Sequence, residues 1–231
     1  MDFRRVAFFG GSFDPPHLGH IAVARAARKA LQLDAVLFAP VGTQPLKPMG
    51  ATAGFDDRLA MTRLAIAGEP GFEVSLIDAP RANDPARPNY TIDTLFTLGA
   101  VLPAGTELYC LVGADSFLSL RYWHRAAEVP FAAEMIVASR PGQPLDDLSA
   151  ALPDGFTIEP AAAAESNGIE LRTYSIADAA GRRAQLYVLP GLHVEISATE
   201  IRALAAEGAP TGAKLVPDAV AEYIRERGLY C

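Results

Sequence analysis

Cysteine is nearly absent: 231 residues hold two, Cys110 and Cys231. Cys110 sits in an apolar run and reads as a buried strand residue, and Cys231 is the last residue. Neither spacing suits a metal site or a disulfide framework, which fits a reducing cytoplasm. Basic charge is also short, with 20 Lys and Arg against 27 Asp and Glu for a formal net charge of −7. That balance argues against a broad nucleic-acid or anionic-membrane surface, yet leaves room for a small phosphate pocket. No apolar run has the length of a membrane span. The stretch "MDFRRVAFFGG" lacks an apolar segment of signal-peptide length. Tryptophan occurs once, at Trp123.

Apolar residues, in contrast, make up half the chain. That suffices for the core of one α/β domain, with or without a lobe. Short apolar runs alternate with helical patterns through the first half. Strands are expected at Val6–Phe9, Ala35–Ala39, Phe72–Ile77, Leu108–Val112 and Met135–Ala138, and helices at Leu18–Leu31, Phe55–Ala67 and Thr91–Leu98. Continuous apolar strands between helices imply a parallel sheet covered on both faces. Ligands of such sheets bind beyond the carboxyl ends of the strands. The rhythm breaks near Pro141–Ala184. There "PAAAAESNG" and "ADAAGRR" read as loops, and Glu170–Ile176 with Gln185–Leu189 as an antiparallel hairpin. The whole chain, residues 1–231, reads as one domain with a candidate insertion or lobe at about 143–184. Helical patterns return at Ile196–Ala206 and Pro217–Arg227.

The segment "VAFFGGSFDPPHLGH" carries the chemistry. Gly10 and Gly11 follow a strand and let backbone N–H groups approach a ligand closely. Pro15 is biased away from the helical region by Pro16, which suits a first helical position. A helix beginning near His17 offers N–H groups to anions, and His17 and His20 share one of its faces. An isolated HxGH reads as a capped turn with an internally satisfied histidine; the strand and two glycines ahead of it favour a phosphate cradle. A metal site is the weaker reading, since no third ligand is in register. No G-K-[ST] follows, so this is not a P-loop. Near the C-terminus, "ISATEIR" places Ser197 three residues before Glu200, a capping-box spacing. By itself it is a capped helix; beside the first motif it reads as a second phosphate grip through Ser197, Thr199 and Arg202. "NYTIDTL" opens a further helix with Thr91 as its expected N-cap.

"GGSFDPPHLGH" resembles the signature of the HxGH nucleotidyltransferase superfamily, and "ISATEIR" is similar to its second signature. With "NYTIDTL", "GADSFLSLRYWH", "ASRPG" and "LVPDAVAEYIRERGLY", the chain resembles the bacterial nicotinate-nucleotide adenylyltransferases over most of its length. The resemblance implies a Rossmann-like, doubly wound parallel sheet with helices on both faces and a C-terminal helical segment. It implies adenylyl transfer from ATP to nicotinate mononucleotide in NAD biosynthesis, with Mg²⁺ bound through the ATP phosphates and no dedicated metal cage. It places His17 and His20 on the ATP phosphates, with Ser197, Thr199 and Arg202 gripping the triphosphate. Gly10, Gly11, Ser12 and Phe13 would line the nucleotide cleft, Gly113 and Asp115 would lie near the adenosine, and Tyr90, Thr91 and Trp123 would form the pyridine pocket. Leu46 stands where the family shows a histidine, while Lys47 keeps a charge for the phosphates. Alternatives are an enzyme acting on nicotinamide mononucleotide or pantetheine phosphate, a cytidylyltransferase, and a non-enzymatic nucleotide-binding regulator. Class I aminoacyl-tRNA synthetases share a related histidine pair, but this chain is too short and acidic for that role.

Overall fold

Val6, Ala7, Phe8 and Phe9 are all buried in the first strand, β1 (Arg5–Gly11). A strand covered on both faces shows such a run rather than alternation. The computed structural model describes residues 3–45, 50–139, 148–191, 196–207 and 215–231. In chain order the elements after β1 are α1 (Leu18–Leu31), β2 (Ala35–Pro40), α2 (Phe55–Ala65), β3 (Phe72–Val74), α3 (Thr91–Val101), β4 (Glu107–Gly113), α4 (Ala114–Leu118), α5 (Val129–Ala132) and β5 (Glu134–Ala138). They continue with β6 (Thr157–Ser166), β7 (Ile169–Ala177), β8 (Arg183–Leu189), α6 (Ala198–Ala206) and α7 (Asp218–Arg227).

The strands form one sheet in the order β3-β2-β1-β4-β5-β8-β7-β6. The pairs β1–β4, β4–β5 and β5–β8 are parallel. Strand order therefore runs outward both ways from β1 and β4, the doubly wound arrangement. The pairs β6–β7 and β7–β8 are antiparallel, so the sheet is mixed. Tyr174 pairs with Leu186 in the β7–β8 ladder, as the predicted hairpin requires.

"PAAAAESNG" is not a loop: its alanines lie in β6, opposite β7. Strand–strand pairing overrides the weak β preference of alanine. The turn was legible in Asn167-Gly168, whose φ angles of 52° and 76° suit a two-residue hairpin. Pro160 sits beside a register shift in an edge strand, where a missing donor is tolerated. Ser166 Oγ and Asn167 Nδ2 donate to the carbonyls of Ala30 and Lys29, satisfying the end of α1. The third strand stops at Val74, short of the expected Ile77, where the Ser75 N–H turns to the Phe38 carbonyl and the Ile77 N–H to Ser75 Oγ.

Packing divides the chain into two compact units. One comprises Met1–Phe9, Val23–Val36 and Tyr90–His193. Its core gathers Tyr109, Leu111, Met135 and Ile136 with Ile92 and Phe117 from the helices. The other comprises Gly10–Ala22, Leu37–Asn89 and Val194–Cys231, with a core of Phe13, Phe38, Met61, Ile201, Val220 and Ile224. Among the described residues no helix is long and apolar enough to cross a membrane.

Candidate active site

In the second unit, the loop after β1 carries Ser12, Phe13, Asp14 and His17 into α1. Phe13 adopts a left-handed backbone, φ 47°, which costs energy in a non-glycine residue and recurs at functional sites. That turn buries its ring to 2% exposure, edge-on to His20 at 5.0 Å and against Phe38 at 5.6 Å. The His17 and His20 rings lie 3.7 Å apart, and His17 is buried.

The His17 N–H donates to His20 Nδ1 at 3.1 Å. His17 precedes the first helical residue, so His20 occupies the third helical position. There its ring does what Glu or Gln does in a capping box. Accepting at Nδ1 places the proton of the neutral ring on Nε2, a donor suited to a phosphate oxygen. The N-terminus of α1 is less open than its sequence implies. The Leu18 N–H donates to the Leu215 carbonyl at 2.9 Å and the His20 N–H to the His17 carbonyl at 2.9 Å. Two of the helix-start donors are thus already engaged, one within the turn and one on Leu215.

The second motif joins this loop. Ser197 is the N-cap of α6, and its Oγ accepts from the Thr199 N–H at 3.2 Å. Thr199 Oγ1 accepts from Arg202 Nη2 at 3.2 Å, and Arg202 Nη1 donates to the Asp14 carbonyl at 2.7 Å. A chain of contacts thus runs from Ser197 to the residue three before His17.

Two buried charges hold the loop. The Asp14 carboxylate, 6% exposed, accepts from the N–H groups of Thr52 and Ala53 at 2.6 and 3.0 Å and from the Tyr230 hydroxyl at 2.8 Å. Arg58, 2% exposed, donates to the carbonyls of Ser12, Val41 and Ala53 at 2.7, 2.8 and 3.2 Å. Burial pushes its pKa down, against the pull of Asp14 and Tyr230. A guanidinium starts so high that it stays charged. Ser12 Oγ meets Gln44 Oε1 at 2.6 Å. Gly10 and Gly11 end β1, and the Gly11 carbonyl accepts from Val41. Lys47, with Leu46, lies outside the described residues.

Tyr90, Thr91 and Trp123, the residues expected at a pyridine pocket, lie in the first unit. Tyr90 stacks on His124, ring centroids 4.2 Å apart at 30°. Trp123 precedes that histidine and is steadied by an Nε1–H bond to Ser119 Oγ at 3.2 Å. Thr91 is the first helical residue of α3 rather than its cap; the cap position belongs to Tyr90, extended at φ −99° and ψ 130°. No side chain caps this helix start. Gly113 ends β4 and caps α4, with the exposed Asp115 in its first turn.

The motifs single out His17 and His20 but pass over Asp14, Arg58, Tyr230 and His124. Asp14 reads as a spacer, and Arg58, in "FDDRLAMTRLA", reads as a solvated helix residue. His124 was visible as the aromatic triplet Tyr122-Trp123-His124.

The cytidylyltransferase-like family matches residues 8–204. A Pelobacter propionicus protein named "Probable nicotinate-nucleotide adenylyltransferase" is 37% identical over 226 residues, covering 98% of both chains. One of the same name from Stenotrophomonas maltophilia is 42% identical, covering 96% of this chain and 95% of the other. Among solved structures, the Plasmodium falciparum nicotinic acid mononucleotide adenylyltransferase complexed with NaAD superposes with a TM-score of 0.70. It covers 98% of this chain and 97% of its own at 14% identity, a likeness of fold. With relatives of this identity matched from end to end, the chain belongs to the nicotinate-nucleotide adenylyltransferase family.

Proposed function

We propose that this chain transfers the adenylyl group of ATP to nicotinate mononucleotide, yielding nicotinate adenine dinucleotide and pyrophosphate in NAD biosynthesis. The observation that carries the reading is the linkage of the two phosphate-type motifs, from Ser197 through Thr199 and Arg202 to Asp14 and the His17–His20 loop. Family membership over 98% of the chain supports the same reading.

An acceptor phosphate oxygen attacks the α-phosphorus of ATP in line. The bond from that phosphorus to the bridging oxygen breaks, and pyrophosphate leaves with the electron pair. The acceptor is already an anion, so no strong base is required. Rate then comes from positioning and from charge stabilisation as negative charge grows on the leaving phosphates. His20 serves through Nε2–H, with its ring held by the His17 N–H and the Phe13 edge. Arg202 brings a cation, and Gly10, Gly11, Ser12 and Phe13 supply the nucleotide loop. His17 and Lys47 complete the set of phosphate-directed groups, and Gly113 with Asp115 serves the adenosine. Mg²⁺ enters with ATP as part of the substrate, held by phosphates and water. The low cysteine count and acidic balance suit a cytoplasmic setting without nucleic-acid or membrane partners.

For the mononucleotide, Trp123, Tyr90 and Thr91 form the pyridine site. A cationic pyridine ring over an indole gains a cation–π contribution of ~0.5–2 kcal/mol. Trp123→Ala therefore raises the KM for nicotinate mononucleotide about tenfold and leaves the KM for ATP within about twofold. Equal weakening of both would make Trp123 a packing residue. The reaction itself is tested by pyrophosphate release from ATP with a panel of phosphate-bearing acceptors. Release with nicotinate mononucleotide supports the proposal. Release only with pantetheine phosphate, or with none, removes it.

A further inference from the structure

The last residues of the chain reach the histidine loop. Helix α7 closes with Gly228 left-handed at φ 57°, the Leu229 N–H on the Ile224 carbonyl and the Gly228 N–H on the Arg225 carbonyl. This is the two-bond glycine closure of a helix end. Tyr230 is left-handed as well, φ 67°, a conformation that needs compensation in a residue with a Cβ. Its hydroxyl supplies that compensation by donating to Asp14 Oδ1 at 2.8 Å. Burial first, then the neighbouring carboxylate, holds the phenol far above its ordinary pKa, so it remains a donor at any working pH.

Asp14 is a node. Its carboxylate binds Tyr230 and the Thr52–Ala53 backbone, and its carbonyl receives Arg202. Prolines 15 and 16 follow and lead directly to His17. A shift of Asp14 therefore moves Arg202 and the start of α1 together. A phenylalanine at 230 keeps the ring but leaves Oδ1 one donor short in a buried setting, where such a deficit is felt strongly.

We infer that Tyr230 is a positioning residue, a C-terminal clasp that works through Asp14 to seat the His17–His20 loop and Arg202 for phosphate chemistry. The kinetic part rests on the proposed adenylyl transfer; the clasp itself does not. The test compares wild type and Tyr230→Phe, each as the full chain, with MgATP and nicotinate mononucleotide. The expected result is a fall of about tenfold in kcat with a raised KM for ATP, an unchanged KM for the mononucleotide and a fully folded protein. Hydrogen exchange at the Thr52 and Ala53 amides, which share the same carboxylate, rises in the variant. Deleting Tyr230 and Cys231 gives the same pattern. Wild-type kcat in Tyr230→Phe overturns the inference, as does a rate loss accounted for by unfolded protein. An inactive wild type counts against the proposed reaction, and the exchange comparison then decides the clasp alone: faster exchange upholds it and unchanged exchange overturns it.

Discussion

His20→Ala lowers the turnover of adenylyl transfer by ~10²–10³, the usual cost of losing one preorganised donor at developing charge. The residue has two separable duties. Its Nδ1 accepts the His17 N–H and closes the first turn of α1, and its Nε2–H is the donor proposed for the ATP phosphates. Gln performs the first duty in ordinary capping boxes but lacks the imidazole donor in that place. His20→Gln should therefore recover the ~1 kcal/mol of helix-start stability lost in His20→Ala, without recovering the rate. The pair is read by steady-state kinetics beside thermal unfolding. If His20→Gln restored turnover, the ring would be a cap and nothing more.

Arg58→Met destabilises the protein by about 3–5 kcal/mol, because three buried carbonyls lose their donor at once. Ser12, Val41 and Ala53 belong to three separate segments, and the guanidinium donates to all three. The methionine fills much of the volume, so little of the loss is cavity. Against a total stability of about 5–15 kcal/mol this is a large fraction. The midpoint of thermal unfolding should fall by roughly 10 °C. The Asp14 carboxylate, left beside an uncharged neighbour, adds to the loss. A change under about 1 kcal/mol by denaturant titration would mean that water replaces the guanidinium without penalty.

These two residues also mark how far the sequence can be read. His20 is legible because strand, glycines, prolines and histidines follow one another locally, and local order decides where a helix starts. Arg58 is not, since nothing in a two-residue acidic start followed by arginine tells that the arginine points inward. Its burial depends on loops 17 and 46 residues away. Asp14 and Tyr230 are 216 residues apart, and their contact is set by how α7 ends. The parallel strands were readable as apolar runs. The strand β6 was hidden by its alanines, although Asn167-Gly168 announced its turn. At α3 the threonine looked like the cap, yet the extended residue is Tyr90, whose ring lies on His124.

The start of α3 bears on the acceptor. No side chain caps it, and Thr91 and Tyr90 are both proposed for the pyridine pocket. Backbone N–H groups and the positive end of a helix favour a carboxylate. An amide NH₂ aimed at the same donors leaves one of them unsatisfied, at ~1–3 kcal/mol, or about one to two decades in kcat/KM. The deciding measurement is kcat/KM for nicotinate mononucleotide and for nicotinamide mononucleotide, at fixed ATP and Mg²⁺, followed by pyrophosphate release. A preference of about ten- to a hundredfold for the acid is predicted; equal values, or a preference for the amide, would contradict the assignment of this chain's acceptor.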